Sequence, residues 1–337
     1  EVTGADKTTV SANRIILATG STPLRPEAFP MDEDTVVTSD YFLALEALPK
    51  SVLIIGAGYI GCELATVLRG LGSDVTMVEM LDQVLPMADA AISKELRKVL
   101  KKAGIALHLK TRVEKLAKKG KGVEATLAGG KTVQAEKALV AIGRRRCTAD
   151  IGLETVGIET TGDGAIEVNE HCQTAVPTIY AIGDITDKTQ LAHVAAKMGL
   201  KAAAHATGHA FPLRLDVIPA CVFTHPEIGN VGLTEAAAKE AGHDVKCATF
   251  SYQALGKAAA MNETGGFFKL VADAKTGEVL GVHIMGAHAT DLIGEAALAL
   301  HLECTVEEIA HTIHAHPTLH EGLMECAESW LGMGIHG

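Results

Sequence analysis

Large rings are scarce in this chain. Phe, Tyr and Trp make up 4% of its 337 residues, with a single Trp. A core without rings must be built from Ala, Val, Leu and Gly, the composition of an α/β protein. No apolar stretch reaches the ~20 residues that cross a bilayer, so no membrane partner is expected. Nor is there any excess of positive charge. Lys and Arg number 30 against 41 Asp and Glu, a net charge of -11, which argues against a nucleic-acid partner. The seven cysteines, Cys62, Cys147, Cys172, Cys221, Cys247, Cys304 and Cys326, include no C-x-x-C or similar short motif. That weighs against a structural zinc site and fits free, mostly buried thiols in a reducing compartment. No signal or transit pattern precedes the first strand-like stretch, Asn13 to Leu17. The chain, which starts at Glu1, is therefore expected to open partway through a fold. The expected location is cytoplasmic, or the mitochondrial matrix in a eukaryote.

What the chain does have is an ordered run of glycines between Ser51 and Glu79. Val52 to Ile55 reads as a buried parallel strand, and Gly56, Gly58 and Gly61 follow at G-x-G-x-x-G spacing. Gly56 allows a tight turn, Gly58 lets the backbone approach a pyrophosphate, and Gly61 lets helix and strand pack closely. The phosphates would meet the positive end of the helix that begins there. A second short strand ends at Glu79, whose carboxylate can accept hydrogen bonds from a ribose 2′-hydroxyl and would repel a 2′-phosphate. The expected cofactor is NAD rather than NADP.

A chain of this length should hold two or three domains. Arg14 to Gly20 forms a strand ending in glycine, and Ser21 to Pro30 a Pro-rich loop. Residues 51–146 make a self-contained α/β unit, with a hairpin over Gly122 to Ala135 and a last strand that runs into Gly143. A third strand runs into Gly183 and Asp184, and Leu191 to Gly208 is helical. Three strand ends at glycine suggest more than one nucleotide-sized ligand. From Val217 the composition shifts to an α+β tail. Its strands are Phe267 to Val271 and Val279 to Ile284, turning at Thr276-Gly277, and its helices are Asp291 to Leu302 and Val306 to Thr312. Two basic segments, Lys94 to Lys102 and Arg144 to Arg146, could meet an acidic cofactor or partner, although a solvated face is the better reading of the helix.

Residues 311–321 hold His311, His314, His316, His320 and Glu321. The spacing suits a metal poorly, since no H-E-x-x-H pattern is present and Pro317 interrupts any continuous helical face. A pair is the better reading. His316 is biased to extended geometry by the following proline, and a helix started near Thr318 would carry Glu321. A carboxylate so placed can bond one imidazole nitrogen and leave the other facing a substrate. Two structural histidines at a helix start are the alternative.

These segments resemble the pyridine nucleotide-disulfide oxidoreductases. The matching stretches are Ile15–Ser21, Val52–Ala65, Ala138–Arg145, Ile179–Ile185, Gln190–Ala195, Ile218–Glu235, Leu280–Gly286 and His314–Glu321, in the family's order and over nearly the whole chain. The resemblance implies a Rossmann-like NAD domain with the remainder of an FAD domain, followed by an α+β dimerisation domain. The implied boundaries are 1–37 for the remainder of the FAD domain, 38–146 for the NAD domain, 147–216 for the FAD/central domain and 217–337 for the interface domain. Gly56, Gly58, Gly61 and Glu79 would hold NAD, and Gly143 would line the nicotinamide side. Thr19, Gly20, Gly183 and Asp184 would contact FAD, Asp184 on its ribityl chain. Leu191, Ala192 and His193 would open a helix whose N–H groups face the flavin ring. Glu63 would lie near the flavin–nicotinamide junction, with Tyr59, Ile60 and Arg144 also among the cofactor-contacting positions. In a homodimer, His316 would take a thiol proton in the partner's site while Glu321 holds its ring.

Glu79 and the His314–Glu321 form favour the branch that oxidises protein-bound dihydrolipoamide with NAD+, on the lipoyl-bearing carrier of a 2-oxo acid dehydrogenase or glycine cleavage complex. Phe223 and Met198 depart from the family's usual Tyr and acid, and are read as packing changes. The family's C-x4-C redox pair and its first FAD fingerprint have no match in these residues, so the chain as written is not expected to run the dithiol step alone. The alternatives are a soluble transhydrogenase, another disulfide reductase, or a non-catalytic NAD-binding and dimerising fragment.

Overall fold

The computed structural model describes residues 2, 3, 5 and 7–336. The chain divides into two compact units. The first combines residues up to Leu24 with Gly143–Leu215. In it Ile15–Leu17 and Ile179–Ala181 pair in parallel, and Ser21–Pro23 pairs antiparallel with Arg144–Arg146. Leu153, Ile158, Ile166, Ile179, Ala181 and Ile185 form its core. The three-residue turn Gly183–Ile185 follows the second parallel strand, and the helix Ala192–Ala206 comes next.

The second unit combines Arg25–Ile142 with the chain from Asp216 onward. Its first sheet is parallel, in the order Val36–Val37, Lys137–Val140, Ser51–Ile55, Asp74–Val78, Ala106–His108. The strands are short and apolar because both faces are covered. Val52, Ile54 and Met77 pack on the helix side with Cys62, Ala65, Ile92, Leu96 and Leu100. Leu53, Ile55 and Val78 face the other way, against Val113, Leu116, Val123 and Ala125. The helix Ala90–Lys102 starts where Asp89 accepts from the Ala91 N–H at 2.9 Å and ends in Lys101 and Lys102, which suit its negative pole. Lys94, Arg97, Lys98, Lys101 and Lys102 are all exposed, so this basic helix presents a solvated face.

The hairpin expected over Gly122 to Ala135 has a third strand, Val113–Lys119, on its open side. The register slips between Thr126 and Leu127. Buried Val113 and Leu116 are therefore three apart, which breaks the alternation that would have marked a strand.

The C-terminal sheet is antiparallel, in the order Ala220–Val222, Glu227–Gly232, Val279–Gly286, Phe267–Asp273, Val245–Ser251. Helices Ala289–His301 and Glu321–Leu331 join its core through Leu292, Ile293, Ala296, Leu323, Cys326 and Ala327. A capping box of Thr305 and Glu308 starts the short helix Val306–His311. The Lys269 side chain, 6% exposed, places its ammonium 2.9 Å from Asp89 and 2.8 Å from Glu235, which ties the C-terminal sheet to the start of the helix Ala90–Lys102.

Candidate functional site

The glycine turn has the form the motif requires. Gly56 has φ 104°, and a side chain there would run into the Ala141 carbonyl. A side chain on Gly61 would fall on the Gly56 carbonyl, so the helix Tyr59–Leu71 can leave the strand at this angle only with glycine at that point. A side chain on Gly58 would meet nothing within 4 Å. Gly58 is also the N-cap and offers no side-chain cap, which leaves the first helical N–H groups open to a ligand. Both observations fit a pyrophosphate. Glu79 is buried at 8% exposure. Its Oε2 accepts from the Ala57 N–H and its Oε1 from the Leu81 N–H, each at 2.8 Å. The acid that would read the ribose thus also braces the turn that would hold the phosphates. Tyr59 and Ile60 open the same helix. Cys62, one residue before Glu63, points inward and donates to the Ala57 carbonyl at 3.3 Å. Burial pushes its thiol up to about 12, so it is inert.

Glu63 Oε1 accepts from the Phe223 N–H at 2.9 Å. Burial raises the Glu63 carboxyl, and that one hydrogen bond opposes the shift. Phe223, read from the sequence as a packing change, follows the short strand Ala220–Val222 and is 63% exposed in the single chain. Met198 does pack, at 0% exposure.

In the first unit, Gly20 has φ 71° and Gly183 φ 67°, and Thr19 Oγ1 donates to the Cys147 carbonyl at 2.6 Å. Ser21 Oγ donates to Asp184 Oδ2 at 2.5 Å and accepts from Arg144 Nε at 2.7 Å. Arg144 Nη2 also donates to the Ser21 carbonyl at 2.7 Å. Gly143, with φ 128°, precedes this arginine, and a side chain there would press on Leu24. Leu191 is the N-cap of the helix Ala192–Ala206 and supplies no side-chain cap. Ala192 and His193, both exposed, lie in its first turn. An uncapped helix start and a carboxylate held by a hydroxyl are features that fit FAD. Ser21 was not singled out from the sequence; its partner is 163 residues away.

The His316–Glu321 pair lies near the end of the second unit. His316 Nδ1 is 2.8 Å from Glu321 Oε1, and Glu321 Oε2 accepts from the Thr318 N–H at 2.8 Å. Burial would push the Glu321 carboxyl up, but the Thr318 amide and the His316 ring outweigh it and hold the carboxyl below its ordinary value. The His316 side chain is 75% exposed, which leaves Nε2 free to meet a ligand from outside. His314 and His320 turn to Glu295, and His311 ends the preceding helix.

The fold and these features fit a nucleotide-dependent oxidoreductase. The family model of pyridine nucleotide-disulphide oxidoreductases matches residues 1–199, and the model of their dimerisation domain matches residues 218–327. The chain belongs to this family, whose cofactors are FAD and NAD. The dihydrolipoyl dehydrogenase of Bacillus subtilis is 42% identical over 99% of this chain and 71% of its own length. That of Thermus scotoductus is 40% identical over 97% and 72%. Among solved structures, LpdA from Mycobacterium tuberculosis superposes with a TM-score of 0.90 at 32% identity, over 97% of this chain and 72% of its own. The HOCl-induced flavoprotein disulfide reductase RclA from Escherichia coli gives 0.87 at 26% identity, over 96% and 75%. The C-terminal region is thus a dimerisation domain, and the protein is a homodimer. Among the described residues, no helix is long and apolar enough to cross a membrane.

Proposed function

We propose that the polypeptide carrying this chain is a dihydrolipoyl dehydrogenase. It oxidises protein-bound dihydrolipoamide to lipoamide with NAD+ as acceptor. The observation that carries this reading is the His316–Glu321 pair at 2.8 Å. Glu321 holds Nδ1, and Nε2 takes a thiol proton, which raises the thiolate fraction available to attack a disulfide. None of the seven cysteines here has C-x4-C spacing, so that disulfide is not among the residues of this chain. FAD, when bound, relays the electron pair from the thiols to NAD+.

The other residues bind and orient. Gly56, Gly58, Tyr59, Ile60 and Gly61 cradle the NAD pyrophosphate, Glu79 reads its ribose, and Gly143 lines the nicotinamide side. Thr19, Gly20, Gly183, Asp184, Arg144 and the helix start at Leu191, Ala192 and His193 hold the flavin, and Glu63 stands near the junction. The domains run 1–37 and 147–216 for FAD, 38–146 for NAD and 217–337 for the interface. The partner is the lipoyl-bearing carrier of a 2-oxo acid dehydrogenase or glycine cleavage complex, in the cytoplasm or, in a eukaryote, the mitochondrial matrix. The test is dihydrolipoamide-dependent NADH formation by the complete polypeptide. Turnover supports the reading, and its absence in a flavin-loaded sample removes it.

A further inference from the structure

The exposed histidine His316 has little packing of its own, so its placement must come from the loop that carries it. That loop, residues 312–320, is tied at both ends to one side chain. Glu295, on the helix Ala289–His301, faces His314 Nε2 with Oε1 at 2.7 Å and His320 Nδ1 with Oε2 at 3.0 Å. The His314 side chain is only 6% exposed, and its Nδ1 is 2.8 Å from the Thr312 carbonyl. Both of its ring nitrogens therefore face acceptors. Within the loop, Thr318 Oγ1 donates to the Ala315 carbonyl at 2.7 Å. His316 lies between the two histidines that Glu295 holds.

We propose that Glu295 is a positioning residue for His316. It touches no reacting atom; it bridges His314 and His320 and thereby fixes the loop on which His316 stands. A lone exposed ion pair would contribute little. This carboxylate differs from one because it uses both oxygens and because one of its partners is buried. Misplacing a proton acceptor by a fraction of an ångström is costly, since proton transfer demands hydrogen-bond reach. The inference rests on the reading of His316 as the proton acceptor.

The test uses Glu295→Ala and Glu295→Gln in the complete, flavin-loaded polypeptide. Two rates are compared: dihydrolipoamide to NAD+, and NADH to a small quinone, which needs no thiol proton. Glu295→Ala should lower the first by ~10-fold and leave the second within about twofold. Glu295→Gln keeps an acceptor for His314 and can donate to His320, so it should recover much of the loss. The His316 ring signal in the NMR spectrum is followed in parallel. It should shift or broaden in Glu295→Ala and return toward the wild-type position in Glu295→Gln. An unchanged His316 signal overturns the proposal whatever the turnover, and so does an equal fall in both rates. Wild-type protein that turns over quinone but no dithiol overturns the function proposed above, and the His316 signal then still decides the role of Glu295.

Discussion

Ser21 links Arg144 to Asp184: its hydroxyl accepts from Arg144 Nε at 2.7 Å and donates to Asp184 Oδ2 at 2.5 Å. Without the hydroxyl, Arg144 Nε remains 3.8 Å from the carboxylate, beyond hydrogen-bond reach. Asp184 would then be free to rotate away from a ribityl hydroxyl. Hydrogen bonds to charged groups contribute ~1.5–3 kcal/mol, so Ser21→Ala should weaken FAD by roughly 10-fold or more. Flavin fluorescence titration of the complete polypeptide measures this, and unchanged affinity would detach the network from the flavin site.

Glu79 serves two ends at once, which sharpens the expectation for its replacement. Glu79→Arg should weaken NAD more than NADP, because the acid no longer accepts from the ribose and no longer repels a 2′-phosphate. It should also loosen the turn, since the Ala57 and Leu81 N–H groups both lose their acceptor. NADP affinity should therefore stay short of the native NAD affinity. Calorimetric titration with both nucleotides checks this, and equal losses for the two would count against the ribose placement.

The parts of the site legible in the sequence are those made by neighbours in the chain. The glycine turn is a strand, three glycines and a helix in one continuous run, Ser51–Leu71, and His316 lies five residues from Glu321. Pairings across long separations have no local signature. The Glu63–Phe223 bond spans 160 residues and the Asp89–Lys269 pair spans 180. The strand Val113–Lys119 escaped for a different reason, because a bulge within it, between Val113 and Lys115, spoils the two-residue period. Glu295 escaped because an acid in the middle of an amphipathic helix reads as a solvated face until the histidines it holds are brought beside it.

The Lys269 cluster should dominate the response of this unit to charge removal. Asp89 and Lys269 are 1% and 5% exposed, so Lys269→Met strands a buried carboxylate and should cost roughly 3–5 kcal/mol in denaturant unfolding. The pH dependence follows from the directions of the shifts. Burial opposes the charge on Asp89, but Lys269 and the amides of Ala91 and Glu235 outweigh it and lower its pKa. Hydrogen bonds from Lys239 and then Lys269 lower Glu235 to about 2. Depressed carboxylates stabilise the fold above their ordinary value near ~4, and that stability fades as the pH falls toward 2. Lys269 is raised by its two partners against burial, so its share is present below ~10.4 and fades as the pH rises beyond it. Lys269→Met should flatten both limbs, and a pH series of unfolding midpoints shows whether it does.

His316 and Glu321 should fail differently when each is replaced. His316→Ala removes the proton acceptor and should cut dithiol turnover by ~10²-fold or more, as losing a general base does. Glu321→Gln leaves the ring in place but removes the charge that stabilises it once protonated, and the Thr318 amide keeps an acceptor. Its loss should therefore be plain where the native ring is neutral, because the variant imidazole is the weaker base, and should shrink as the pH falls, because the native carboxylate, still ionised through its depressed pKa, favours the protonated ring that can no longer accept a thiol proton. Reduction of a small quinone by NADH needs neither residue and should stay near normal in both variants. Stopped-flow rates of the two reactions across pH separate the roles. Matching pH profiles for Glu321→Gln and the native protein would remove Glu321 as the group that holds the ring.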